Sequence, residues 1–149
     1  MAVAIKLKTN RKQVAKNFKR LAKKLPRIID KGLLQAGFHL LDIIRTKTGR
    51  GQDFRGNTFA PYSEGYLKRL QKEGKKTAVD LFYSGRMMGA LTPGGRTVKR
   101  ISNNIVSVTF SNAEMRTRAL FNQVLNDPKR EFFGFNSRTE NIIGKVFNR

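Results

Sequence analysis

Cysteine is absent from the chain, which removes disulfides, thiolate nucleophiles and the usual structural zinc sites and is compatible with a reducing cytoplasm. His39 is the only histidine, so neither a two-histidine metal site nor a Cys-His pair can form within one chain. Its place amid Phe38, Leu40 and Leu41 reads as a partly buried structural imidazole. Acidic residues are scarce: Asp30, Asp42, Asp53, Glu64, Glu73, Asp80, Glu114, Asp127, Glu131 and Glu140 stand singly, with no DxD and no ExxH. General acid-base work by paired carboxylates and two-metal nuclease chemistry therefore have no support, and no enzymatic activity, metal or cofactor is expected. Long hydrophobic runs are missing too. The longest, Leu33 to Ile44, is broken by Gln35, His39 and Asp42, and the N-terminal residues Met1 to Lys8 hold no apolar segment of signal-peptide length, so no membrane association is expected.

What is present is positive charge: 31 Lys and Arg against 10 Asp and Glu in 149 residues leave a formal +21. Such a surface repels itself over the ~8 Å screening length of physiological salt and gains when an anionic polymer, surface or subunit neutralises it. The chain is nevertheless no basic tail, since 39% apolar residues including eleven Phe suffice for a core. Its length suits one domain over residues 1–149. Gly51 to Thr58, GQDFRGNT, superficially matches a phosphate loop, but Asn57 stands where the lysine must be and no strand precedes it.

Periodicity organises the chain. Ala2 to Leu7 alternates weakly as a short edge strand, and Asn10 with Gln13 resembles a capping box. Val14, Phe18, Leu21 and Leu25 recur at spacings of four, three and four on one helical face, with lysines and arginines mostly on the others. Pro26 suggests a kink or a new start, with a second, more apolar helix over Pro26 to Lys47. Thr48 to Pro61 reads as a long, flexible, glycine-marked loop. Ser63 caps a short helix over Glu64 to Glu73 closed by Gly74, and Val79 to Leu91 leads into a further turn of helix before Pro93-Gly94-Gly95. The period then changes to two, and Thr97 to Ile101 with Ile105 to Phe110 predicts a β-hairpin. Ser111 with Glu114 caps a helix carrying Leu120, Val124 and Leu125, which Asp127-Pro128 ends. Ser137 with Glu140 caps a last helix whose Ile142, Ile143, Val146 and Phe147 would dock on the body. The expected fold is α+β: N-terminal helices and a C-terminal helix packed on a small antiparallel sheet, with a long loop between the second helix and the sheet.

Three segments in fixed order carry a resemblance: Asp53 to Leu70 (DFRGNTFAPYSEGYLKRL), Val79 to Leu91 (VDLFYSGRMMGAL) and Arg130 to Gly134 (REFFG) followed by the Ser137-capped helix. Together they resemble the virion-morphogenesis or tail-completion family of tailed bacteriophages, which includes phage Mu G-like, neck and minor tail proteins. Two positions depart from that pattern: Phe59 replaces a tryptophan before the proline, and Glu131 replaces a proline between the arginine and the aromatic. The resemblance implies a structural protein of the virion tail or neck, assembled in the host cytoplasm. It implies a homo-oligomeric ring, commonly a hexamer, contacting other tail and neck proteins such as the tail tube and head-tail connector, with non-specific DNA contact in the channel. The alternative, from charge alone, is a sequence-independent nucleic-acid-binding protein. Exposure and charge single out Arg45, Lys47, Arg50, Arg55, Lys72, Lys75 and Lys76 as partner- or DNA-facing, and Phe132, Phe133 and Phe135 as interface or core anchors.

Overall fold

The computed structural model describes residues 10–82, 84–93 and 97–147. The expected strand Ala2 to Leu7, and Gly94 and Gly95 of the Pro93 breaker, lie outside them. One helix, α1 (Arg11–Gly49), runs 39 residues with Pro26 inside it, so the two N-terminal helices expected from the sequence are one. At 1.5 Å per residue it is about 58 Å long. Proline at 26 removes the hydrogen bond to the carbonyl of Ala22, a loss that breaks buried helices. Here the whole of residues 10–28 is exposed, so water reaches the freed carbonyl, and Pro26 lies off the apolar stripe.

The C-terminal half of α1 forms the core. Ala36, Gly37, Leu40, Leu41, Ile44 and Thr48 are buried along one face. Against it lies a hairpin of β1 (Val98–Ser102) and β2 (Ile105–Val108), pairing Val98 with Val108 and Arg100 with Val106 before a register shift and a turn containing Asn104. Gly37 permits the approach: a Cβ there would sit 2.7 Å from Val98 Cγ1 and 3.2 Å from Val106 Cγ1. An ion pair of Arg100 with Asp30 (2.9 Å) ties the far end of the hairpin to α1.

Short helices close the core. α2 (Glu64–Lys72) contributes Leu70, α3 (Arg86–Gly89) contributes Met87 and Met88, and α4 (Ala113–Leu120) contributes Met115 and Ala119. A π-helical turn, Phe121–Leu125, continues α4, and α5 (Ser137–Gly144) packs on α1. Leu120, Val124 and Leu125 point to solvent, not to the core. Two caps fall one residue earlier or later than expected: Asn112 Oδ1 accepts from the Glu114 N–H (2.8 Å), and Asn136 Oδ1 accepts from the Thr139 N–H (2.8 Å). An asparagine beside each expected serine takes the role, as its longer amide reaches the second or third helical N–H. Asn10 and Ser63 stand at N-caps without a side-chain capping bond.

Replacing Gly37 by alanine gains up to about 1 kcal/mol of helix propensity but overpacks a β-branched contact costing about 1–3 kcal/mol. G37A is expected to lower the unfolding free energy by about 1 kcal/mol, and G37L by more, in urea titrations.

Candidate assembly surfaces and a buried recess

Fifteen large apolar side chains among the described residues are exposed, against fourteen apolar residues in the buried core, so much of the apolar surface has no use within one chain. The most ordered set lies on the N-terminal half of α1. Val14, Phe18, Leu21, Leu25 and Ile28 are 41–67% exposed and follow the 4-3-4-3 spacing of a coiled-coil seam. Arg11, Lys12, Lys16, Lys19, Arg20, Lys23, Lys24 and Arg27 accompany them, and no acid occurs before Asp30. This segment is a projecting arm about 27 Å long, apolar on one side and cationic on the rest. A second apolar area, Leu120, Phe121, Val124 and Leu125, caps α4 and its π-helical turn. A third is a groove of about 760 Å³ between α1 and α5, lined by Phe38, His39, Asp42, Ile142 and Val146 among others. His39 is exposed on its rim, not partly buried as its apolar neighbours suggested.

The loop after α1 is closed, contrary to the flexible loop expected. Asp53 Oδ1 accepts from the N–H groups of Gly56 (2.6 Å) and Asn57 (2.7 Å), and Gln52 bridges Thr58. Gly51 and Gly56 take positive φ of 72° and 102°, which their lack of a Cβ permits. Phe59 is buried. The loop is pinned to the C-terminal segment: Phe54 N–H donates to Glu131 O (2.9 Å), Asn136 Nδ2 donates to Phe54 O (2.9 Å), and the Phe54 ring lies over Gly134.

These contacts sort the cations singled out by charge. Lys47 Nζ donates to Phe54 O (2.8 Å) and holds the loop. Arg55 pairs with Glu131 and lies over the Phe54 ring at 4.3 Å. Arg45 is half-buried, while Arg50, Lys72 and Lys76 are exposed, and Lys75 pairs with Glu73 (3.3 Å). Arg45 and Lys47 share α1 with the arm, whose cations the sequence pattern shows as the polar side of an amphipathic helix. The phenylalanines divide: Phe132 is 1% exposed in the core, Phe133 packs against it half-buried, and Phe135 is 55% exposed.

The three segments that carry the family resemblance meet around one recess of about 480 Å³. Pro61, Tyr62, Ser63 and Tyr66 come from the first, Leu81, Ser84 and Met87 from the second, and Arg130 from the third, with Arg118, Asn122, Asn126, Asp127 and Pro128 completing it. Gln123 positions the third segment, since its side-chain amide donates to Phe133 O (2.7 Å) and accepts from Phe133 N–H (3.0 Å). The Tyr62 and Tyr66 rings meet edge to face at 4.7 Å. Comparison of the chain with protein-family models, curated proteins and solved structures finds no match in any of the three.

Burial, then the neighbouring Tyr66, holds the Tyr62 phenol above its ordinary 10.0, with Arg130 opposing. The folded state thus keeps this proton more tightly than the unfolded chain. The resulting stability is complete below pH 10.0 and is lost as pH rises through the folded value. Ultraviolet titration is expected to show one late-ionising tyrosine that disappears in Y62F; a Y62F difference spectrum centred at the ordinary value would contradict this.

Proposed function

We propose that this protein is a structural subunit of a tailed-bacteriophage virion, a tail-completion or neck protein that forms a ring at the head-proximal end of the tail or at the head-tail junction. The observation that carries this reading is the projecting arm, whose 4-3-4-3 apolar stripe is exposed along its whole length. A seam of this kind on a single small domain is a binding face awaiting a groove or another helix. The ordered segments that resemble the tail-completion family add support, as does their common position around one recess.

Charge constrains how copies meet. Two arms laid side by side would oppose cation to cation along their length, because the stretch before Asp30 has no acid to offer. The arm therefore docks on a different surface, and contacts between unlike surfaces close into rings when the rotation permits. In such a ring the tail tube and the connector are the neighbouring proteins, residual cations face DNA in the channel without reading its sequence, and no catalysis is assigned.

Burying Phe18 and Leu21 in a partner is worth about 1.5–3 kcal/mol each. F18S/L21S is expected to keep the wild-type melting temperature, as both side chains are more than half exposed, and to weaken ring formation or tube-end binding at least a hundredfold. Sedimentation velocity and negative-stain microscopy with isolated tail tubes measure both. A wild-type protein that stays monomeric and leaves tube ends bare overturns the proposal. If it instead binds duplex DNA tightly near 150 mM salt, with log affinity falling steeply against log salt and unaffected by F18S/L21S, non-specific nucleic-acid binding is the function.

A further inference from the structure

Arg130 is 8% exposed at the floor of the recess, and no carboxylate among the described residues pairs with it. Its Nε is buried with no hydrogen-bond partner. Its Nη2 reaches only the carbonyls of Ala60 and Pro61, both at 3.4 Å, beyond the usual 2.7–3.2 Å of a good bond. Its guanidinium lies over the Tyr62 ring at 5.0 Å. A guanidinium has five N–H donors in a planar fork and cannot shed its charge. An arginine taken out of water without a counter-ion is costly, and evolution of a chain with 31 cations had no shortage of exposed places for one.

The surroundings suit an anion. Ser63 lines the recess and makes no side-chain capping bond, which leaves its hydroxyl available there. Asn122 and Asn126 add amides. Asp127 is the one acid in the recess lining, exposed beside Arg118, which is bonded to Glu114 (2.9 Å); Asp80 acts on the Tyr62 phenol from the other side, and Glu64 stands in the first turn of α2.

We infer that the recess over Arg130 is a carboxylate-binding site, which takes an aspartate or glutamate side chain from a protein partner. A carboxylate matches the planar fork with paired bonds, and a single side chain fits a recess of about 480 Å³. Duplex phosphates do not, because they sit on a wide convex backbone that engages exposed cations, and Arg130 is only 8% exposed. The site is independent of ring formation: it is defined by one folded chain and is tested on one.

The test follows the Arg130 Nε–H resonance by NMR on the full chain, with acetyl-Gly-Glu-Gly-amide as probe. Acetyl-Gly-Gln-Gly-amide, inorganic phosphate and a short duplex are the comparators. The glutamate peptide is expected to shift that resonance saturably with a millimolar midpoint, and the glutamine peptide to leave it in place. R130K, which keeps the charge but not the fork, should raise the midpoint of the peptide's effect on the neighbouring Asn122 and Asn126 amides at least tenfold. R130M should melt no lower than wild type in anion-poor buffer, since it removes an uncompensated buried charge. A resonance that does not move in saturating glutamate peptide overturns the site. So does a phosphate or duplex midpoint below that of the glutamate peptide, which would make the recess a phosphate site, or an unchanged midpoint in R130K.

Discussion

The approach of the hairpin to α1 at Gly37 determines where the rest of the molecule can be. With no Cβ at that position, Val98 and Val106 settle against the helix backbone, and the sheet face carrying Val108 and Phe110 closes over Leu40, Leu41 and Ile44. α3, α4 and Phe132 then complete a single cluster around that half of the helix. The hairpin's reach along α1 ends at the Arg100–Asp30 pair. Among the described residues, 10–28 are therefore exposed, yet those from Arg11 on belong to the same helix. The arm's direction is set by the core even though the arm contributes nothing to it, and an arm held in place loses little freedom on binding.

Periodicity made the arm's stripe, the hairpin and the order of elements readable, because a 3.6-residue or two-residue repeat is a local property. Pro26 was misread for a physical reason: the rule that proline breaks helices assumes that the freed carbonyl is costly, and on an exposed arm water bonds it. Capping boxes were displaced because Ser111 and Ser137 each sit beside an asparagine whose amide oxygen reaches the same donors. His39 was judged by its chain neighbours, which on a helix point in different directions. The recess was not legible at all. Tyr62, Ser84 and Arg130 are far apart in the chain, and an orphaned Nε is a statement about three-dimensional neighbours that no spacing encodes.

The loop after α1 is closed from the C-terminal segment. Glu131 supplies a carboxylate to Arg55 and a carbonyl to the Phe54 N–H. The ion pair is largely solvent-exposed and worth at most about 1 kcal/mol, so the backbone bonds and the Phe54–Gly134 contact carry the closure. The loop cations singled out by charge differ in their setting: Lys47 is half-buried and holds the Phe54 carbonyl, while Arg55 stays exposed beside Glu131.

The excess charge then has two separate structural expressions. On the arm it lies along the flanks of an apolar seam, where it forbids pairing of like segments and favours a partner rimmed with acids. In the recess it is one nearly buried guanidinium, whose Nε has no hydrogen-bond partner and which pairs with no carboxylate among the described residues. Six of the chain's ten acids have partners: Asp30 with Arg100, Glu114 with Arg118, Glu131 with Arg55, Glu73 with Lys75, and Asp53 and Asp80 with backbone N–H groups of their own turns. On the arm and over Arg130, no ion pair among the described residues offsets the positive charge. Charge of one sign is thus distributed between a projecting seam and an open recess that holds one nearly buried guanidinium.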